Sequence, residues 1–390
     1  MTAARARSAI AKAKRLVVKV GSSVLTADGA LRRRVFSDLA RQIAALMEQK
    51  REVVLVSSGA IAIGSHTLGW SHPGRSIPEK QAAAAVGQIG LVELYRRRFL
   101  RVGLHVGQVL VTRTGLEDRE RFLNARHTLL TLLRLGVVPI VNENDTVATE
   151  EIRFGDNDNL SATVVNLVGA DLLVLLTDVD GLYQQPPRPG EAAPPLFDVV
   201  EHISAQVEAA GGGSPHALGR GGMLTKLEAA RGAAHSGAAT LIANGLRRDS
   251  LLRAATGEPI GTLFLAGKKL ASRKHWLAFT ARTRGRLVLD AGAVQAVIGA
   301  GRSLLPAGIT AVEGEFGIGE SVSCVDDKGH ELARGLVAYS SAELTRIQGL
   351  PTRKIAQVLG YSNGDAVIHR DDLAVMKTAE PNALQRGKSA

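Results

Sequence analysis

The chain has 390 residues, 45% of them hydrophobic and 22% charged, which suits a globular protein with room for two cores and excludes a disordered or fibrous one. Its single cysteine, Cys324, excludes an internal disulfide and makes a reducing cytoplasm the expected location, and no apolar stretch approaches the length of a membrane span. Aromatic residues make up only 4%, against a surface built on base stacking, and the net charge of +11 is unevenly placed: residues 279–372 carry 10 Lys and Arg against 11 Asp and Glu, so the basic excess belongs to the N-terminal region, where it would favour an anionic substrate.

Residues 1–15 include five basic residues and no apolar segment, which reads as a basic tail and not a secretory signal. Residues 16–20 form a short apolar strand that carries Lys19 and ends in Gly21-Ser22-Ser23. An ammonium beside free backbone N–H groups at a turn is a cradle for phosphate. Helical spacing over residues 35–47 leads to a second strand at 52–56, which runs into Ser57-Ser58-Gly59-Ala60. Continuous apolar strands separated by a helix predict a parallel sheet covered on both faces. Both strands end in Gly/Ser turns on one side, where open α/β sheets bind their ligands.

The rhythm continues with helices at 80–99 and 122–135 and strands at 108–111 and 137–141. Two clusters of short acidic and amide side chains follow. Asn142-Glu143-Asn144-Asp145 leaves the last of these strands, and Gly155-Asp156-Asn157-Asp158-Asn159 precedes a helix at 160–168. Such clusters suit recognition of a small polar molecule, although the same residues also make ordinary solvated turns. A strand at 171–176 ends in Thr177-Asp178, and residues 186–195 read as a Pro-rich surface loop. A Gly-rich segment, Gly219-Arg220-Gly221-Gly222-Met223-Leu224-Thr225-Lys226, opens a helix at 226–236, followed by a strand at 240–243. Around residues 261–272 the alternation stops. From residue 281 short apolar runs between Gly-bearing turns predict a small β-rich domain with one helix near 293–299. The expected organisation is a basic tail (1–15), a catalytic α/β domain (16–265), a linker (266–280), a β-rich domain (281–372) and a C-terminal tail (373–390), with the boundary at about residue 275.

There is no Walker A spacing, no Gly-x-Gly-x-x-Gly opening the first helix and no His/Cys cluster with zinc spacing. What remains is Lys19 and Lys226, each beside a glycine loop. Phosphoryl transfer is mostly positioning and cationic stabilisation, so two lysines, loop N–H donors and a carboxylate to hold the lysines suffice. An acceptor that is itself a carboxylate is already ionised and needs no general base.

These residues meet a family. Lys19-Val20-Gly21-Ser22-Ser23, Ser57-Ser58-Gly59-Ala60-Ile61, residues 81–90, residues 117–126, Asn142-Glu143-Asn144-Asp145, Gly155-Asp156-Asn157-Asp158-Asn159, Thr177-Asp178, residues 221–226, Leu304-Leu305-Pro306-Ala307-Gly308 and His369-Arg370-Asp371-Asp372 closely resemble the glutamate 5-kinase family. The resemblance covers nearly the whole chain. It implies the amino acid kinase fold, a three-layer sandwich around a mainly parallel sheet, with a C-terminal region similar to a PUA domain, a module best known from RNA-modifying proteins. It implies transfer of the ATP γ-phosphate to the side-chain carboxylate of L-glutamate, the first step of proline biosynthesis, with Mg²⁺ held mainly by the ATP phosphates.

Carried over by position, the resemblance makes Lys19 and Lys226 stabilisers of the phosphoryl group and Asp158 their orienter. Ser58, Asp145 and Asn157 would bind glutamate, with Asn142 and Asp156 beside them. Asp145 would pair with the α-ammonium, and Asn157 and Ser58 would donate to carboxylate. Lys19, Thr177, Asp178, Arg220, Gly221, Gly222, Met223, Leu224, Thr225 and Lys226 would hold ATP. Arg220 departs from the small hydroxylic residue usual there, so at that position the backbone is the expected contact. Inhibition by proline and a homo-oligomer, tetramer or dimer, are also implied. The alternatives are another carboxylate or carbamate kinase of this fold, or an RNA-binding protein; the near-neutral C-terminal region opposes the latter.

Overall fold

Eight strands of the N-terminal unit share one sheet: β1 (Arg15–Val20), β2 (Glu52–Ser57), β3 (Val106–Val111), β4 (Val138–Glu143), β5 (Leu172–Thr177), β6 (Val199–Val200), β7 (Ala239–Asn244) and β8 (Thr262–Phe264). In this computed structural model residues 2–27, 30–148, 157–187, 192–212, 222–267 and 272–376 are described. The chain divides into two compact units, residues 1–270 and 271–390. The strand order in the sheet is β3-β4-β2-β1-β5-β7-β8-β6, and every pair is parallel except β7 with β8. From the central β1 the chain builds one side with β2, β3 and β4, then crosses to the other with β5. The two directions part at β1, which leaves a crevice beyond the carboxyl ends of the central strands.

The helices of this unit include α1 (Ala3–Ile10), α2 (Arg33–Glu48), α3 (Ala60–Thr67), α4 (Ile77–Leu100), α5 (Arg119–Arg134), α6 (Asn157–Val168) and α7 (Met223–His235). Leu16, Val18 and Val20 of β1 and Leu172, Val174 and Leu176 of β5 enter a core shared with Phe36 and Ile43 of α2 and Leu91, Tyr95 and Phe99 of α4. The rings of Phe36 and Tyr95 meet at 4.8 Å between centroids, and truncating a ring buried this fully costs about 3–5 kcal/mol. On the other face α5, α6 and α7 pack together, with α6 against β1. Because side chains alternate along a strand, Lys19, between Val18 and Val20, is sent to that second face. One apolar strand therefore delivers a single cation towards α6 and α7.

Two glycines set how close α3 and α4 come. A Cβ on Gly64 would lie 1.7 Å from the carbonyl oxygen of Ala83, and one on Gly87 would lie 1.9 Å from that of Ala60. Any side chain there would force the helices apart. Since α3 starts directly after Ser57-Ser58-Gly59, with Gly59 at φ 101° as its cap, this crossing anchors one wall of the crevice.

Several expectations need correction. Residues 1–15 are not a free tail. Residues Ala3–Ile10 are helical, and Arg7, buried, donates through Nε to Asp198 Oδ1 at 3.0 Å and through Nη1 to the carbonyls of Glu258 at 2.8 Å and Ile260 at 3.0 Å. A long-range ion pair of this kind leaves no local periodicity to read. Where the alternation stops, Thr262–Phe264 adds one more strand to the sheet, antiparallel and too short for a pattern. Most important for the site, α6 begins at Asn157, not at 160, so the acidic cluster supplies the helix's first turn.

The second unit holds a five-stranded sheet of Gly285–Leu289, Ile309–Gly314, Ser321–Val325, Glu331–Leu336 and Leu373–Val375. It encloses its own core, which includes Leu287, Val322, Cys324, Tyr339, Leu344 and Ile368. Residues 266–280 were expected to be a linker, yet Ser272–Phe279 is a helix whose Trp276 and Leu277 are buried, packed on the last two strands. Residues 373–375, assigned to the tail by sequence, pair with Glu331–Leu336. Besides the helical stretch from Ala291 to Gly299, the unit has helices at Ser341–Ile347, with a Ser340/Glu343 capping box, and at Ile355–Leu359. Each of these helices is too short to declare itself by periodicity.

Candidate active site

Asp158 joins the two lysines. Its Oδ1 lies 2.6 Å from Lys19 Nζ and its Oδ2 lies 3.1 Å from Lys226 Nζ, with all three side chains at most 7% exposed. Thr225 Oγ1 donates to the same Oδ2 at 2.7 Å. Three elements converge here: β1 brings Lys19, the first turn of α6 brings Asp158, and the first turns of α7 bring Thr225 and Lys226. Burial works against a charged Asp158, but the ammoniums of Lys19 and Lys226, with hydrogen bonds from Lys19 and Thr225, outweigh it and hold the carboxyl below its ordinary value. Lys226 moves the opposite way for a lysine: burial, reinforced by the charge of Lys19, outweighs the attraction of Asp158 and lowers its pKa. Two ammoniums on one carboxylate give these three buried groups a net charge of +1, an arrangement that favours an anionic ligand.

One residue earlier on α6 the chemistry changes from charges to amides. Asn157 Nδ2 donates to Ser58 Oγ at 2.7 Å, to the carbonyl of Ser57 at 3.0 Å and to Asn142 Oδ1 at 3.1 Å. Sheet register explains the meeting. Val20 pairs with Ser57, and Val56 pairs with Val141, so the next residues along β2 and β4, Ser57 and Asn142, end side by side. Ser57 is locked in turn by Tyr95, whose hydroxyl lies 2.9 Å from its Oγ. Asn142, buried, passes its own Nδ2 to Gln88 Oε1 at 2.8 Å. Both Nδ2 hydrogens of Asn157 serve these protein acceptors, which leaves its Oδ1 to accept. Ser58, having accepted from Asn157, keeps its hydroxyl proton to give.

The remaining sequence candidates are placed as follows. Asp145 is half-buried in the turn after β4. Glu143, buried two residues before it, accepts the backbone N–H of Arg113 at 3.2 Å. Thr177 closes β5 and donates to Asp178 Oδ1 at 3.1 Å, and the negative charge of Asp178 acts on Lys226. Gly222 caps α7, and Met223 and Leu224 form its start, half-exposed. Asp156, Arg220 and Gly221 lie outside the described residues. Thr225, selected for the nucleotide, is tied to Asp158 as well. Gln88 received no role from the sequence, since a lone Gln within an Ala-rich helix carries no local signal. Behind the site, Arg126 Nη1 donates to the carbonyls of Leu167 at 2.7 Å and Asn166 at 3.3 Å, steadying the far end of α6.

The arrangement can hold an anionic, phosphate-bearing group between Lys19, Lys226 and the N-terminus of α7, beside a neutral polar pocket lined by Ser58, Asn142 and Asn157. The model of the amino acid kinase family matches residues 14–244, and that of the PUA domain matches residues 285–359. Glutamate 5-kinases from Burkholderia thailandensis, Burkholderia mallei and Burkholderia pseudomallei are each 54% identical over 375 residues, covering 95% of this chain and 100% of theirs. Two domain matches in the expected order, with full coverage of these relatives, leave one assignment: the chain belongs to the amino acid kinase family and, within it, to the glutamate 5-kinases.

Proposed function

We propose that this protein phosphorylates the side-chain carboxylate of L-glutamate with ATP, giving L-glutamyl 5-phosphate and ADP, the first step of proline biosynthesis. The observation that carries the reading is Asp158 held between buried Lys19 and Lys226 at the carboxyl ends of a parallel sheet. A carboxylate oxygen of glutamate attacks the γ-phosphorus, the new O–P bond forms as the bond to the β,γ-bridging oxygen breaks, and ADP departs with that electron pair. Charge spread over the equatorial and bridging oxygens is met by the lysines, which Asp158 holds in place before substrate arrives.

The amino acid occupies the neutral side. The Ser58 hydroxyl donates to a carboxylate, Asn157 Oδ1 faces the substrate as an acceptor, and Asp145 pairs with the α-ammonium. The nucleotide lies along Thr177, Asp178 and the start of α7, including Gly222, Met223, Leu224 and Thr225. Mg²⁺ fits this scheme as a partner of the ATP phosphates, where it neutralises their charge. Asp158 serves the lysines in this scheme, with its carboxylate engaged by Lys19, Lys226 and Thr225. Inhibition by proline at the amino-acid pocket, a homo-oligomeric assembly and a cytoplasmic location belong to the same proposal. Among the described residues no helix is long and apolar enough to cross a membrane.

The test is a panel of glutamate, aspartate, N-acetylglutamate and carbamate with ATP and Mg²⁺, trapping acyl phosphate with hydroxylamine. Hydroxamate from glutamate alone is the expected result. Preference for another acceptor would reassign the substrate within this fold.

A further inference from the structure

Gln88 has surroundings that packing does not explain. It follows Gly87, where α4 comes so close to α3 that no side chain fits between them, so its position against the crevice wall is rigid. Its Oε1 accepts from Asn142 Nδ2 at 2.8 Å. Its Nε2 is buried and, among the described residues, has no hydrogen-bond partner. An orphaned buried donor is unfavourable, and methionine would fill a similar volume without one. The feature that requires an amide at this position is the acceptor, Oε1.

The two ends of a primary amide are alike in shape and opposite in polarity, so hydrogen bonds alone decide which end faces which way. If Asn142 turned over, its Nδ2 would face Asn157 Nδ2, donor against donor. The backbone carbonyl of Ser57, which cannot turn over, takes Asn157 Nδ2 at 3.0 Å; Asn142 then presents Oδ1 to Asn157 Nδ2 at 3.1 Å, and Gln88 Oε1 gives Asn142 Nδ2 the acceptor that this orientation needs. With Nδ2 engaged by Ser57 and Ser58, Asn157 has Oδ1 left to accept, and Ser58 is left as a donor. We propose that Gln88 is a positioning residue that closes this relay, holding the Asn142–Asn157 pair, and through it the donor and acceptor pattern offered to the amino-acid substrate, in the polarity that the Ser57 carbonyl sets. The kinetic part of this inference rests on the glutamate kinase reading, while its structural part stands without it.

Gln88→Met keeps the volume and removes the acceptor. The expected result is a glutamate KM raised about tenfold or more, with kcat and the ATP KM within about threefold of the unchanged protein. Because Gln88 acts through Asn142, adding Gln88→Met to Asn142→Ala should raise the glutamate KM no further than Asn142→Ala alone. Additive effects, or a parallel rise in the ATP KM, would show a general packing role and overturn the proposal. If the unchanged protein makes no hydroxamate from glutamate, the functional reading fails. The relay is then judged without substrate, from the side-chain ¹⁵N amide resonances of Asn142 and Asn157. Both shift in Gln88→Met if the relay exists, and an unmoved Asn157 resonance overturns it.

Discussion

Asn157 and Asp158 are neighbours in one helical turn, yet they organise regions of opposite character. Around Asp158 the groups are ionic, and Asp158 and Lys226 both have pKa values below their ordinary ones. Around Asn157 they are neutral amides and hydroxyls whose only variable is which end points where. In the proposed reaction the first region stabilises charge that moves during phosphoryl transfer, which takes cations desolvated in advance. The second, on the same proposal, distinguishes an amino acid from its relatives, which takes fixed donors and acceptors. Placing both on one rigid helix start holds acceptor and phosphoryl group in register without a flexible hinge between them.

The contrast can be broken most severely on the ionic side. Lys226→Ala or Asp158→Asn is expected to lower kcat by roughly a hundred- to a thousandfold, the usual loss for one preorganised group at developing charge. Glutamate-dependent ADP release measures it, and turnover near the original value would remove these residues from the site. On the neutral side, Asn157→Ala should act mainly on the glutamate KM, raising it about tenfold to a hundredfold at a nearly constant ATP KM. Equal changes in both KM values would abolish the distinction between the regions.

Acidity sharpens the same contrast. Lys226 has a pKa below its ordinary 10.5, so the alkaline limb of kcat should fall at a lower pH than a free lysine allows. Lys226→Arg, which stays protonated, should shift that limb upward even where it lowers the rate. Asp158 gives the matching acid-side effect on stability. Its folded pKa lies below the unfolded value of about 3.9, so its contribution is present above that pH and is lost as pH falls through the folded pKa. Melting curves of the unchanged protein and of Asp158→Asn should therefore be furthest apart near neutrality and converge in strong acid. A constant gap would mean that the carboxylate is not coupled to folding.

The smallest expected effect lies outside both regions. Arg126→Ala removes hydrogen bonds to the last carbonyls of α6 and should cost about 1–2 kcal/mol in denaturant unfolding. Both KM values should hold, because the helix start is still clamped by Asp158 and Asn157. A large KM change would show that the far end of α6 tunes the site.

Continuous apolar runs separated by helical spacing were enough to read β1, β2, β4, β5 and β7 and to put Lys19, Ser58 and Thr177 at their carboxyl ends, because burial on both faces writes itself into every residue of such a strand. The fold class and the identities of Lys19, Asp158 and Lys226 follow from the amino acids in order. The partnerships do not. Lys19 and Asp158 are far apart in sequence and meet only because the pleat of β1 and the start of α6 face each other. Gln88 is linked to Asn157 through two hydrogen bonds by way of Asn142, and Arg7 docks across nearly the whole first unit. Local propensity and pattern reach only a few residues along the chain, whereas hydrogen bonds and ion pairs are decided by which surfaces packing brings within about 3 Å. Only the tertiary structure could assign them.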